Sequence, residues 1–269
     1  MTTRRHLLGA GLILPALSSR LLAQAAPATN PLEMFLRLRC SPEGQNSFWA
    51  YSGYMLGRVD REPMRPILSV IGASRSRIQR QPDGSVIYNL IEAGYYGDPD
   101  GGGIADAAIV NRLTGALITP QHYLSPQSIR FTRDLRVLPE TRPLPPGMRY
   151  EGRITPPDIK TGRLWMAEEL FIHVPPRPAT ATQPGRGANI LNSLANFEAA
   201  MADIESSRDF VPASMQYTTL NSFRPWMNMG AATGDIMMRL NGIKLASWNQ
   251  LPAPLRTRIE ADHGDALHD

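Results

Sequence analysis

The chain has 269 residues, with 28 Lys and Arg against 24 Asp and Glu, a formal net charge of +4, 42% hydrophobic residues and one cysteine. The single Cys40 excludes an intramolecular disulfide and every multi-cysteine metal site, and it reads as a small buried hydrophobe rather than a nucleophile. The charge excess is concentrated at the N-terminus: residues 1–25 carry Arg4, Arg5 and Arg20 and no acid, so the rest holds 25 basic and 24 acidic residues, net +1. That balance carries no nucleic-acid footprint.

In chain order, Arg4-Arg5-His6-Leu7-Leu8 opens a basic region, "LLGAGLILPAL" (7–17) is an apolar run, and Ala23-Gln24-Ala25 supplies small residues for cleavage. The run is too short to span a bilayer, which needs roughly 20 apolar residues, so residues 1–25 read as a secretory signal. The paired arginines point to the twin-arginine route, which fits export of an already folded, disulfide-free chain to the periplasm or beyond. No stable membrane insertion is expected after cleavage. Residues 26–31 form a flexible lead-in, 32–262 a single domain and 263–269 a polar tail.

"LEMFLRLRC" (32–40) has apolar residues at helical spacing. From there to about 138, strand-like runs such as "SFWAYSGYMLGRV" and "SVIYNLIEAGYY" alternate with turn chemistry at "QPDGS" (81–85), "GDPDGGG" (97–103) and "NRLTG" (111–115). Hairpin-length turns without helical crossovers predict antiparallel pairing, and a meander this long must curl or close to manage its edges. Pro-rich loops at 139–147 and 175–187 flank another strand, "RLWMAEELFIHV" (163–174). In 189–207, Ile190, Leu194, Phe197, Met201 and Ile204 recur every three or four residues and predict a helix. Strand character returns in "SMQYTTLNSF" and "GDIMMRLNGIKLASW", the latter with an Asn241-Gly242 hairpin signal, and a C-terminal helix is expected near 252–262. The fold class is therefore mainly β (α+β): an antiparallel curled or barrel-like sheet with one packed helix near 189–207 and a C-terminal helix.

The sequence holds no HExxH, CxxC, Gly-x-Ser-x-Gly, P-loop or complete GxGxxG turn. His263 and His268 sit in the polar tail and read as solvated. In 97–103, Asp98 and Asp100 start like a calcium loop but lack the later Glu, and a hairpin turn is the better reading. Glu92, Asp106, His122, Glu168, Glu169 and His173 interrupt apolar strands. Alternation puts Glu168 and Glu169 on opposite faces, and the inward one needs an Arg or Tyr partner, an ordinary ion pair, unless it is a candidate acid.

The stretch "RPWMNMGAATGDIMMRLNG" (224–242) concentrates one Trp and four Met. Core packing, an apolar ligand wall or a subunit contact would each account for it. The stretch "RPWMNMG" with Gly234, "NGIKL" and Leu251-Pro252, together with "GYYGDPDGGGIADAAIVNRLTG", resembles the signatures of a bacterial and fungal family of exported, often twin-arginine-led proteins, domain of unknown function 1838. Asp98, Asn111, Thr114 and Gly115 match its central pattern, while Ile109 and Arg112 stand where that family has Trp and Pro. The resemblance implies no particular activity.

The expectation is a barrel-like domain that binds, and as an enzyme would convert, a small, largely apolar molecule. Tyr96, Asn111, Trp226, Met227 and Met229 would line the ligand site, with His122 and Asp98 as acid–base groups and neither metal nor organic cofactor. The alternative is an assembly protein using the Met-rich 226–238 stretch as a homo-oligomer contact. A metal-dependent hydrolase ranks third.

Overall fold

The computed structural model describes residues 30–101, 103–140, 144–176 and 188–268; the signal, the lead-in up to 29 and most of the 175–187 loop lie outside them. In chain order the elements are α1 (Pro31–Arg39), β1 (Ser47–Val59), β2 (Arg65–Arg80), β3 (Val86–Gly97), β4 (Ile109–Val110), β5 (Leu117–Ile118), β6 (Tyr123–Phe131), β7 (Val137–Pro139) and β8 (Arg149–Ile154). There follow β9 (Asp158–Lys160), β10 (Arg163–Val174), β11 (Asn189–Ala200), α2 (Met201–Glu205), β12 (Ser214–Ser222), β13 (Gly234–Leu245) and α3 (Ala253–His263).

All pairings are antiparallel, and the main sheet runs β7-β6-β3-β2-β1-β13-β12-β11-β10-β8, with β9 beside β10. The two ends of that order meet: Arg136 and Arg153 form a bridge, and the Ile154 N–H donates to the Leu135 carbonyl at 2.7 Å. The sheet is thus nearly closed into a barrel, which removes most of its exposed edge.

Helix α1 stoppers one end. Asn30 caps it, its side chain accepting from the Leu32 N–H at 3.0 Å, and Pro31 fits the first turn. The helix buries Leu32, Phe35, Leu36 and Leu38 in the barrel end. Phe35 stands edge-on to Phe131 of β6 and Phe197 of β11, with ring centroids 5.3 and 5.7 Å away, and so bridges opposite walls. Outside the barrel, α3 lays Leu255 and Ile259 against Phe48, Ala73 and Ala93 on the outer face of β1–β3. The chain after α3 is docked rather than a polar tail: Gly264–Leu267 makes a 3-10 turn, and Leu267 is completely buried in the same cluster.

Two further expectations are corrected. Residues Asn189–Ala200 are strand β11, and only Met201–Glu205 are helical. The inward row of β11 is Leu191, Ser193, Ala195, Phe197 and Ala199, a period of two, and Ile190 and Leu194 of the predicted stripe point outward and are exposed. Pairing along both edges, to β10 and β12, overrides the helical spacing. Asn241-Gly242 makes no hairpin but lies within β13, where Gly242 faces Tyr51 across the ladder.

Candidate functional site

The barrel interior is built from a few cross-strand rows. One runs Gly242–Tyr51–Gly72–Gly94–Tyr123 over β13, β1, β2, β3 and β6. The two central glycines make the slot in which the flanking rings lie. A Cβ on Gly72 would stand 2.4 Å from the Tyr51 ring carbon bearing the hydroxyl, and one on Gly94 would stand 2.3 Å from the same carbon of Tyr123. The rings consequently fold toward each other across the sheet, bringing their hydroxyls to 3.4 Å, and the Tyr51 hydroxyl donates to the Ala93 carbonyl at 3.0 Å.

The next row places Glu92 beside the slot, between Ser74 and Ser125. Its carboxyl lines the cavity and its opening and is within hydrogen-bonding reach of the Tyr51 and Tyr123 phenols. Burial pushes the Glu92 carboxyl above its ordinary range, against the opposing pull of Tyr51, Arg39 and Tyr123. Burial also drives both phenols well above theirs, so they stay protonated and can donate.

Deeper, the floor holds a buried ion pair. Arg39, at the C-terminus of α1, meets Glu168 of β10 at 2.8 Å, with the side chains 11% and 10% exposed. The guanidinium also lies over the rings of Tyr88 (4.7 Å) and Phe197 (5.0 Å). Glu168 is the inward member of the Glu168-Glu169 pair, while Glu169 bonds Arg153 on the outside.

Above this floor is a cavity of about 120 Å³. It continues, past Glu92, Gln127 and Tyr217, into an opening of about 480 Å³ bordered by Tyr96, His122, Asn221, Arg224, Trp226 and Met238. Tyr96 and Trp226 pack at 5.4 Å as an aromatic lip. Burial raises the Tyr96 phenol to about 12.

The sequence-predicted site residues divide between this opening and its supports. Tyr96, Trp226 and His122 line the opening. Asn111 is buried behind it as a clamp: its side-chain amide donates to the Met227 carbonyl at 2.6 Å and contacts the Met229 sulfur, while its side-chain oxygen accepts from the Leu113 N–H. Met227 is completely buried, and Met238 is 6% exposed, so much of the Met-rich stretch faces inward within the chain. His122 is half-buried, its Nδ1 accepts from the Tyr96 N–H at 3.2 Å, and the ring also bonds the Ala105 backbone. Burial, then Arg258, holds its pKa below the ordinary value, so it is neutral at pH 7. Asp98 lies away from the lumen. Arg112 bonds both Asp98 (2.9 Å) and Asp100 (2.8 Å), so a guanidinium sits between the carboxylates that resemble a calcium loop. Among the described residues no cluster of three or more His, Cys, Asp or Glu could hold a metal, and no helix is long and apolar enough to cross a membrane.

Sequence reasoning did not single out Tyr51, Tyr123, Tyr217, Arg39 or Arg224, and it noted Glu92 only as a polar interruption. The usable signal was glycine: Gly72 and Gly94 sit at inward positions of long strands, where a missing side chain marks a close approach.

Fold and interior define a nearly closed antiparallel barrel with a polar, partly open lumen. The model of a family described as "Protein of unknown function (DUF1838)" matches residues 187–265, from the start of β11 through α3, which include Tyr217, Asn221, Arg224 and Trp226. No curated protein matches the chain.

Proposed function

We propose that this barrel takes a small, largely apolar molecule in through the opening between β6 and β12, and that Glu92 acts on it as a general acid–base without an organic cofactor. The observation that carries the reading is a carboxyl with a raised pKa facing a cavity beside two protonated phenols. A carboxylate so tuned can take a proton from a carbon acid or return one, and a phenol can steady the oxygen on which charge develops. The aromatic lip and the leucine and methionine walls suit an apolar body. An opening of about 480 Å³ lies within the range of small-molecule sites. We also place this activity outside the cytoplasm, on the strength of the basic, apolar and small-residue order of residues 1–25.

Mass spectrometry of the purified chain under native and then denaturing conditions tests the binding half. A small organic mass carried by the folded chain and released on denaturation is the expected result. A bare chain in every preparation, joined to no uptake of any apolar probe, would overturn it. The same spectra give the mass of the processed N-terminus, expected to begin near residue 26.

A further inference from the structure

The opening carries a cation, Arg224, that no carboxylate among the described residues neutralises. Arg224 is half-buried on the lip, two residues before Trp226, and among the described residues no carboxylate lies within ion-pair distance of it. Two arginines line the cavity and its opening: Arg39 is paired with Glu168, whereas Arg224 has no carboxylate partner among the described residues. Its charge is felt inside the lumen, because it opposes the upward shift of the Tyr96 and Tyr217 phenols.

A second group points the same way. Asn221 is 3% exposed, lines the opening, and its amide nitrogen bonds the Thr219 hydroxyl, which leaves the amide oxygen buried with no partner among the described residues. Turned over, the amide would accept from Thr219 and present its N–H to the opening instead. Only the turned-over amide offers a donor that a carboxylate can accept from, and a buried polar atom without a partner is a cost that a bound ligand can remove.

We infer that the ligand is a lipophilic monocarboxylic acid, held head-out: its carboxylate is gripped by Arg224 and Asn221 at the lip, and its apolar body passes Tyr96 and Trp226 toward Glu92. A planar guanidinium matches a carboxylate with two parallel N–H bonds. A single cation at the lip balances one negative charge. The carboxylate end therefore stays at the opening, and the carbon that Glu92 serves lies further along the chain. This inference rests on the proposed lumen binding.

Isothermal titration of the full processed chain with decanoate and with decanol, at low salt, separates the two. Charge-assisted hydrogen bonds contribute about 1.5–3 kcal/mol, so decanoate should bind at least about tenfold more tightly than decanol. Arg224→Gln should bring decanoate to the level of decanol without changing decanol, and Arg224→Lys should restore part of the difference. Equal binding of the two probes by the wild type, or a decanoate preference indifferent to Arg224→Gln, overturns the carboxylate anchor and leaves the lumen reading standing. Failure of both probes to bind overturns both. Thermal unfolding of Arg224→Gln within a degree or two of wild type shows that the variant is folded.

Discussion

Replacing Arg39 by Met tests how the barrel floor is held. In the folded chain Arg39 and Glu168 meet at 2.8 Å, nearly sealed from water, with the guanidinium stacked on Tyr88 and Phe197. Met keeps most of the length and the contact with the rings but removes the charge. Glu168 is then left inside the barrel without its cation, and breaking a buried pair from one side costs about 3–5 kcal/mol. For a domain of this size each kcal/mol lowers Tm by roughly 2–4 °C, so Arg39→Met should melt about 6–20 °C below wild type. The double variant Arg39→Met/Glu168→Leu removes both charges and should recover most of the loss, to within about 2 kcal/mol of wild type, because an apolar pair of similar volume is often neutral. Urea and thermal unfolding of the wild type, the two single variants and the double variant give the cycle. A single variant within about 1 kcal/mol of wild type, or a double variant whose loss equals the sum of the singles, would refute a coupled buried pair.

Three further perturbations follow from the same interior. Glu92 has a folded pKa above its ordinary 4.5, so its favourable contribution is present below that value and is lost as pH rises through the folded pKa; Glu92→Gln should be more stable than wild type at pH 7, by a margin that closes toward pH 4 in urea unfolding, and a margin constant with pH would contradict this. Adding a methyl at Gly94 drives the Tyr123 ring out of its slot and should cost about 1–3 kcal/mol; the same change in a Tyr123→Ala background should cost far less, and equal losses in both backgrounds would show that the ring is not there. Lys244 is buried and donates to the Arg37 and Cys40 carbonyls, and burial brings its pKa down to about 8 from 10.5. The unfolded chain then binds more protons above pH 8, so the stability of wild type relative to Lys244→Met should rise as pH passes upward through about 8, and a falling difference would contradict the assignment.

Much of the architecture is written in local chemistry. The turns at 81–85 and 111–115 and the alternation of β1, β3 and β10 announce an antiparallel β domain, and the Pro-started α3 and the short α1 fall where spacing places them. Alternation also forces one of Glu168 and Glu169 inward, and the expected arginine partner is Arg39. β11 was misleading for a physical reason. Its lumen row is mostly small, Ser193, Ala195 and Ala199, because Glu168 and Tyr217 oppose it across the ladders, so its inward periodicity hardly registers as hydrophobic. The site itself is a product of register. Tyr51 and Tyr123 are 72 residues apart, and only the pairing of Gly72 with Gly94 brings their hydroxyls together beside Glu92. His122 and Asp98 carry chemical side chains that local structure also uses, His122 on the Tyr96 backbone and Asp98 in the Arg112 turn.

In the proposed function a carboxyl inside the barrel, that of Glu92, meets the guest. Carbon-13 NMR of glutamate carboxyls, with the Glu92 signal assigned by its absence in Glu92→Gln, follows that group directly through a pH titration with and without decanoate. The expected result is a Glu92 midpoint raised above its ordinary value in the free protein, moving further when the lumen is filled and water leaves. A Glu92 signal that titrates among the exposed carboxylates and ignores the added acid would contradict it.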